Sequence, residues 1–337
     1  MMPISSLGQR LTSSRWAAGL LFVVVSLLVT SCGGAVEPTD ALPAPAYVDD
    51  TGGAGVVHAY TGDWRYFEGG GVAVFDCSGD EMPELYFAGG DSLAALFQNS
   101  GEAGGPLRFQ PLRETGLELD AVTGAYPIDI DSDAITDLVV LRNGENVVFK
   151  GLGRCEFERA NEQWAIDGGD VWTGGFSAMW EQGQVLPTLA FGNYINPDGL
   201  TQQVDLCSPN VLLTPDGNTY TEPVTLGPAW CTLSLLFSDW DRNGGADLRV
   251  TNERQYNRDG EEVLWRTTGT AEPLAYTREE GWRLVRIWGM GIASHDITGD
   301  SYPEVFLTNQ GDSKLQSLAE GPGQPTYEDI AIRRGVT

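Results

Sequence analysis

Basic residues and histidine are scarce in this chain. Twenty Lys and Arg stand against 47 Asp and Glu, a formal net charge of −27. That balance excludes nucleic acid as a partner, because phosphates need a basic footprint. There are two histidines, His58 and His295, far apart in sequence, so a zinc centre or a Ser-His-Asp triad would have to rest on one of them. The five cysteines include no Cys-x-x-Cys pair, which argues against cysteine metal ligation. Beyond the N-terminal segment no long stretch carries a helical apolar period. What is plentiful is turn chemistry: 43 Gly and 18 Pro predict many tight turns and therefore many short strands. With 42% hydrophobic and 10% aromatic residues over 337 positions, the chain can bury a large core in one or two domains.

Residues 1–32 read as an export signal. Arg10 and Arg15 precede the apolar run from Trp16 to Val29, which is too short and wrongly flanked for a membrane span. The run ends in Leu28-Val29-Thr30-Ser31-Cys32, which resembles the bacterial lipobox. That resemblance implies lipidation of Cys32, and Gly33 after it implies the outer membrane. Residues 33–46 are rich in Pro and Ala and predict a tether. The globular part is expected to begin near Tyr47, giving a chain exported and lipid-anchored to the cell envelope, with no other membrane contact. Cys77, Cys155, Cys207 and Cys231 then allow two disulfides in three pairings. Cys207 with Cys231 is favoured because the two bracket one inserted segment.

A repeated acidic nonapeptide organises the remainder. It occurs at Asp76-Cys77-Ser78-Gly79-Asp80-Glu81-Met82-Pro83-Glu84, at Asp129-Ile130-Asp131-Ser132-Asp133-Ala134-Ile135-Thr136-Asp137, at Asp239-Trp240-Asp241-Arg242-Asn243-Gly244-Gly245-Ala246-Asp247, and at Asp296-Ile297-Thr298-Gly299-Asp300-Ser301-Tyr302-Pro303-Glu304. A degenerate copy runs from Trp180 to Thr188, without carboxylates at the corresponding positions. The loop starts are separated by 53, 51, 59 and 57 residues, a period that fits one four-stranded propeller blade. Other columns keep the register: Gly71, Gly124, Gly175, Ser234 and Gly291 stand five residues before each start, and Leu85, Leu138, Leu189, Leu248 and Val305 follow each ninth position.

Oxygen side chains at positions 1, 3, 5 and 9 suit a hard cation such as Ca2+. The candidate ligands are Asp76, Ser78, Asp80 and Glu84; Asp129, Asp131, Asp133 and Asp137; Asp239, Asp241, Asn243 and Asp247; and Asp296, Thr298, Asp300 and Glu304. An EF-hand needs an acid at position 12. Here that position holds Phe87, Val140, Val250 and Leu307, so the expectation is a calcium loop inside a β-hairpin.

A Gly-rich entry, a loop of the Asp-x-Asp-x-Asp type and an apolar exit together resemble the FG-GAP and VCBS repeats of integrin-α-like β-propellers, and more closely those of bacterial relatives of the cartilage acidic protein family. Tyr47-Val48-Asp49-Asp50-Thr51 running to Gly55-Val56 fits a further element of that pattern, and Tyr327-Glu328-Asp329-Ile330 running to Gly335-Val336 is a looser copy. The resemblance covers 47–337 and implies an all-β propeller of about five recognisable blades. Either the last residues close a small ring or the chain is a fragment of a six- or seven-bladed propeller; the fragment is expected. Ser78 and Thr298 replace an acid at position 3, Glu84 and Glu304 replace Asp at position 9, and Ala134 takes a position that glycine normally eases. Such departures predict weak sites, on the order of 10⁻⁴ to 10⁻³ M.

The expected function is a surface-anchored, non-catalytic interaction or adhesion module for a protein or glycan ligand, with Ca2+ clamping the hairpin loops. The alternative is a polysaccharide-acting lyase or hydrolase on the same scaffold. An enzyme requires a non-repeating constellation, and the sequence connects none: Glu181, Glu253 and Arg254 stand off-register with nothing to join them. The insertion between Tyr194 and Trp230, with its Pro197-Asp198-Gly199 and Pro215-Asp216-Gly217 turns, is the expected site of specific contact.

Overall fold

The computed structural model describes residues 46–196, 206–253, 259–270 and 272–336. The lipobox with Cys32, the tether, the Pro197-Asp198-Gly199 turn and Arg254 lie outside the described residues. The chain divides into Met1–Val48 and Asp49–Thr337. Within the second unit the described residues form five antiparallel blades of four strands in a β-propeller, the second and third joined into one eight-stranded sheet where Asn143 and Gly144 pair with Trp172 and Val171.

Blade 1 is β1 (Val72–Phe75), β2 (Glu84–Phe87), β3 (Ala95–Asn99) and β4 (Phe109–Pro111). Blade 2 is β5 (Val122–Ile128), β6 (Asp137–Gly144), β7 (Val147–Gly153) and β8 (Glu156–Arg159). Blade 3 is β9 (Val171–Met179), β10 (Thr188–Asn193), β11 (Asn210–Leu213) and β14 (Val224–Leu226), with the hairpin β12 (Pro215–Asp216) and β13 (Thr219–Tyr220) inserted before its last strand. Blade 4 is β15 (Thr232–Ser238), β16 (Asp247–Asn252), β17 (Val263–Arg266) and β18 (Leu274–Ala275). Blade 5 is β19 (Gly289–His295), β20 (Glu304–Asn309), β21 (Lys314–Leu318) and β22 (Tyr327–Asp329). The first strands lie side by side in the order β1, β5, β9, β15, β19. A one-turn helix, α1 (Asn161–Trp164), follows blade 2, and another, α2 (Ala331–Arg334), follows blade 5.

Strand alternation decides which way each blade faces. In β6, Leu138 and Val140 pack with Ala73, Phe75, Tyr86 and Leu96 of blade 1. Val139 and Leu141, pointing the other way, pack with Phe176, Leu189 and Phe191 of blade 3. Further layers join blades 3 and 4 through Leu212, Leu235 and Leu248, and blades 4 and 5 through Leu264, Val305 and Leu307. Since central strands carry apolar residues on both faces, β6 reads as an uninterrupted apolar run. Each fully buried Leu or Val stabilises the stack by about 1.5–3 kcal/mol.

The column of small residues has a structural cause. Pairing of the first two strands slips by a residue at Val122/Gly124, Thr232/Ser234 and Gly289/Ile292, and between β9 and β10 at Gly192/Asn193. At Gly175 neighbouring inner strands also approach closely: a Cβ there would stand 3.2 Å from the Leu233 carbonyl oxygen and 3.2 Å from the Ser234 Cα. Buried polar groups satisfy the disrupted backbone. Thr123 Oγ1 donates to the Thr173 carbonyl (2.7 Å), Asn146 Nδ2 donates to Thr173 Oγ1 (2.9 Å), and Thr232 Oγ1 donates to Asn252 Oδ1 (2.6 Å). Blades 4 and 5 are also pinned by buried Arg249, whose guanidinium lies 5.1 Å from the Trp282 ring and 4.9 Å from the Tyr327 ring and donates to Gln316.

Candidate functional site

Each acidic nonapeptide joins the first strand of a blade to the second, and the four intact copies share one hydrogen-bond frame. The first Asp closes the loop by accepting the amide of position 6: Glu81 on Asp76 (2.8 Å), Ala134 on Asp129 (3.0 Å), Gly244 on Asp239 (3.2 Å) and Ser301 on Asp296 (2.9 Å). Position 5 accepts the amide of position 7: Met82 on Asp80, Ile135 on Asp133, Gly245 on Asn243 and Tyr302 on Asp300, all at 2.7–2.9 Å. Asp and Asn are suited to such side-chain turns. Positions 4 and 6 are left-handed in every intact copy. Glycine takes one of the two in three loops, as Gly79, Gly244 and Gly299, whereas the blade 2 loop uses Ser132 (φ 58) and Ala134 (φ 66). That loop therefore holds the more strained backbone.

The ninth position does something else. Glu84, Asp137, Asp247 and Glu304 are buried and staple the loop to its own blade. Asp137 accepts the amides of Ile130 (2.7 Å) and Gly151 (2.8 Å). Asp247 accepts Trp240 Nε1–H (2.8 Å), the Tyr276 hydroxyl (2.7 Å) and the Thr267 amide (3.3 Å). Glu84 accepts the Cys77 amide (2.9 Å), and Glu304 those of Ile297 (2.9 Å) and Thr298 (3.1 Å). Burial pushes the Asp137 carboxyl up to about 6, against the pull of the Gly151 and Ile130 amides.

Whether the loops suit a cation turns on oxygens left over from this frame. Among the described residues, Glu84 Oε1, Asp131 Oδ1 and Asp239 Oδ1 are buried without a hydrogen-bond partner. Buried carboxylate oxygens of this kind are costly unless something positive meets them, so the loops of blades 1, 2 and 4 fit a hard cation by donor chemistry. In blade 5 both Glu304 oxygens are engaged, by the Ile297 and Thr298 amides and by the Thr298 and Ser317 hydroxyls. Asp129, Asp131 and Asp137 each offer an oxygen within 4.8 Å of the others, the only all-carboxylate grouping that tight among the described residues. In the degenerate blade 3 loop, Trp180 is exposed and Thr188 is buried at position 9.

One cation is already present at the blade 2 loop. The Lys150 ammonium on β7 donates to Asp131 and, at 2.6 Å, to Asp133. Burial lowers its pKa, but the hydrogen bonds it donates to Asp131 and Asp133 outweigh this and raise it well above the ordinary lysine value. The Lys150 bond in turn holds Asp133 below the usual carboxylate range. Sequence reasoning missed Lys150, which stands 19 residues from Asp131 and meets it only through the β6–β7 pairing.

The opposite ends of the inner strands carry a second cluster, which does not repeat. Trp64, Phe67 and Trp288 are 44%, 54% and 44% exposed. Phe67 packs edge-on against Trp172 (6.0 Å) and Tyr194 (6.4 Å), and Trp64 lies 6.3 Å from Trp172. The Tyr194 hydroxyl donates to Glu253 (3.1 Å), which pairs through its backbone with Trp288. Glu68 has a raised pKa through burial and the nearby Glu253 charge. Contributions from blades 1, 3, 4 and 5 thus meet in an aromatic and acidic mouth. Glu253 stood out in sequence only as off-register. Trp64, Phe67 and Glu68 carried no signal there, being one aromatic-rich stretch before a glycine run.

Disulfides join Cys77 to Cys155, tying the blade 1 loop to blade 2, and Cys207 to Cys231 in blade 3. Tyr220 of the β12–β13 hairpin is buried in the layer between blades 2 and 3, so this part of the insertion packs inward. His58 contacts the Ala88 carbonyl at 2.8 Å and Phe87 through its ring, and His295 is exposed on β19.

No protein-family model and no curated protein sequence matches the chain. Solved structures do. A lectin of Agrocybe aegerita that recognises non-reducing terminal N-acetylglucosamine is 13% identical, with 80% of this chain aligned to 69% of that one at a TM-score of 0.41. The Dos1 propeller is 11% identical over 71% of this chain and 56% of its own, TM-score 0.41. The BBS1 N-terminal region, solved with ARL6, is 11% identical over 81% and 84%, TM-score 0.39. Likeness at this level assigns neither family nor ligand.

Proposed function

We propose that this chain is a calcium-stabilised propeller of the FG-GAP/VCBS kind, related to bacterial members of the cartilage acidic protein family. In this reading it is exported, anchored to the outer membrane through a lipid on Cys32, and works as a non-catalytic interaction module. The aromatic and acidic mouth carries the proposal. Exposed indole and phenyl faces backed by buried Trp172 and Tyr194 form a rigid shelf, and Glu68 lies beside it. Such a shelf stacks on the apolar face of a sugar ring while carboxylates accept from its hydroxyl rim. A glycan is therefore favoured over a protein ligand.

The acidic loops serve the scaffold in this reading. Asp76, Ser78, Asp80 and Glu84 in blade 1, and Asp239, Asp241, Asn243 and Asp247 in blade 4, would hold Ca2+ through hard oxygen donors. The ion supplies charge neutralisation where acids crowd a hairpin turn in a chain of net charge −27, and its binding adds to folding stability by linkage.

The test is a glycan-array screen of the mature protein alongside W64A/F67A. Saturable binding that falls at least about tenfold in the double variant, with melting unchanged, is expected. Turnover of a bound polysaccharide would overturn the non-catalytic reading, and binding that survives W64A/F67A would remove the mouth from it. For the metal, a lower melting temperature in excess chelator is expected. Identical melting with Ca2+ and with chelator would refute a structural role.

A further inference from the structure

Of the four intact loops, the one with the fullest set of carboxylates is also the one that receives a lysine. The blades can be compared residue by residue, because the same aliphatic column pairs with the third strand in each: Leu85 with Phe97, Leu138 with Phe149, Leu189 with Leu213, Leu248 with Trp265, and Val305 with Gln316. The next residue along that strand is Gln98, Lys150, Thr214, Arg266 and Ser317 in turn. In blade 5 Ser317 donates to Glu304 (3.0 Å). In blade 4 Arg266 pairs with Glu280 (2.8 Å) and stacks 4.3 Å over Tyr276, and among the described residues it forms no ion pair with a loop carboxylate. In blade 3, where the loop has no carboxylates at the ligand positions, the residue is a neutral threonine. Blade 2 alone combines four aspartates with a cation that reaches them.

We infer that Lys150 is the resident cation of the blade 2 loop, a tethered ammonium holding the place that a divalent ion would take in the loops of blades 1 and 4. Two observations support this assignment. Lys150 Nζ bridges positions 3 and 5 of the loop through Asp131 and Asp133, two of the residues whose oxygens a metal would need. Lys150 and Asp131 are also largely shielded, their side chains 17% and 21% exposed, so solvent screens the pair weakly. The ammonium offers three donors but cannot gather the six to eight oxygens that Ca2+ takes, which leaves Asp131 Oδ1 buried and unpartnered. A divalent ion would use that oxygen and must displace Lys150 to do so. Blade 2 is thus the blade whose acidic loop is partly neutralised without metal, through Asp131 and Asp133, and its affinity for metal is lowered by an internal competitor.

The inference rests on the calcium reading for the other loops, but its test separates the two. Lys150→Met keeps the stem and removes the charge; Lys150→Arg keeps the charge. In excess chelator, Lys150→Met is expected to melt below the parent protein and Lys150→Arg to recover much of the loss. Titrated with Ca2+ by calorimetry, Lys150→Met is expected to gain a site, or to tighten one by at least about tenfold, because a charge abutting two ligand carboxylates has been removed. Adding Asp131→Asn should abolish that gain. Equal melting of parent and Lys150→Met in chelator would overturn the inference, as would an unchanged Ca2+ titration in a protein whose other loops bind. If neither protein binds Ca2+ at all, the calcium reading fails, and melting in chelator still decides the role of Lys150.

Discussion

Asp241 and Asp247 belong to one loop and look alike in sequence, yet the structure gives them opposite duties. Replacing Asp247 with Ala strips the acceptor from Trp240 Nε1–H, the Tyr276 hydroxyl and the Thr267 amide at once. Trp240 is 2% exposed and Tyr276 half-buried, so water cannot fully replace the lost partner. Each stranded donor costs about 1–3 kcal/mol, which places Asp247→Ala at about 3 kcal/mol or more of stability in the metal-free protein. Asp241→Ala removes a half-buried acid that, among the described residues, is bonded only to Asn243. Burial and the nearby Asp247 and Asp239 raise its pKa, and its loss should change metal-free stability by less than about 0.5 kcal/mol, or increase it. Urea unfolding in excess chelator measures both. With Ca2+ present both variants lose a ligand, so Asp241→Ala also becomes destabilising and the contrast should narrow. Equal losses for the two variants in chelator would refute the division between ninth-position staple and cation-facing acid.

Two further outcomes follow from the same geometry. The Cys77–Cys155 bridge spans 78 residues and Cys207–Cys231 spans 24; chain-entropy reasoning assigns them about 4.5 and 3.5 kcal/mol. Serine pairs at 77/155 should therefore lower the urea midpoint more than pairs at 207/231, and the reverse order would show that native-state contacts dominate. Burial raises the Glu262 pKa from 4.5 to about 7. The folded state then binds the extra proton, so this contribution is complete below about 4.5 and lost as pH rises through about 7, amounting to about 3 kcal/mol. Stability followed across that window in chelator should decline with rising pH, and Glu262→Gln should flatten the decline; an unchanged slope would refute the assignment.

The two clusters divide the blades by direction. Acidic loops stand where inner strands end, and the mouth stands where they begin, so a change in loop metal content need not touch the mouth. Only the mouth draws on several blades in unlike ways, as recognition demands of a repeat protein. Its shelf depends on Trp172 and Tyr194, both nearly fully buried, which hold the exposed rings in place.

Much of the fold could be read from the chain because a propeller repeats. The five-fold column of small residues, the nine-residue loops and the aliphatic exits are local patterns, and the structure turns them into bulges in blades 2 to 5, hairpin turns, and second strands in the same register. The apolar run at Leu138–Leu141 already implied burial on both faces. What lay beyond the sequence depends on strands distant along the chain. Position 9 resembles positions 1, 3 and 5 in composition, but strand alternation turns it into the blade, where amides and side-chain donors of that blade bond to it. Lys150 meets Asp131 only because two antiparallel strands bring them together. Trp64, Phe67, Glu68, Tyr194 and Glu253 become neighbours only because the blades are arrayed around one axis, and the same array selects Cys155 as the partner of Cys77. Local spacing determines what each blade is; side chains from different blades meet only once the array is assembled.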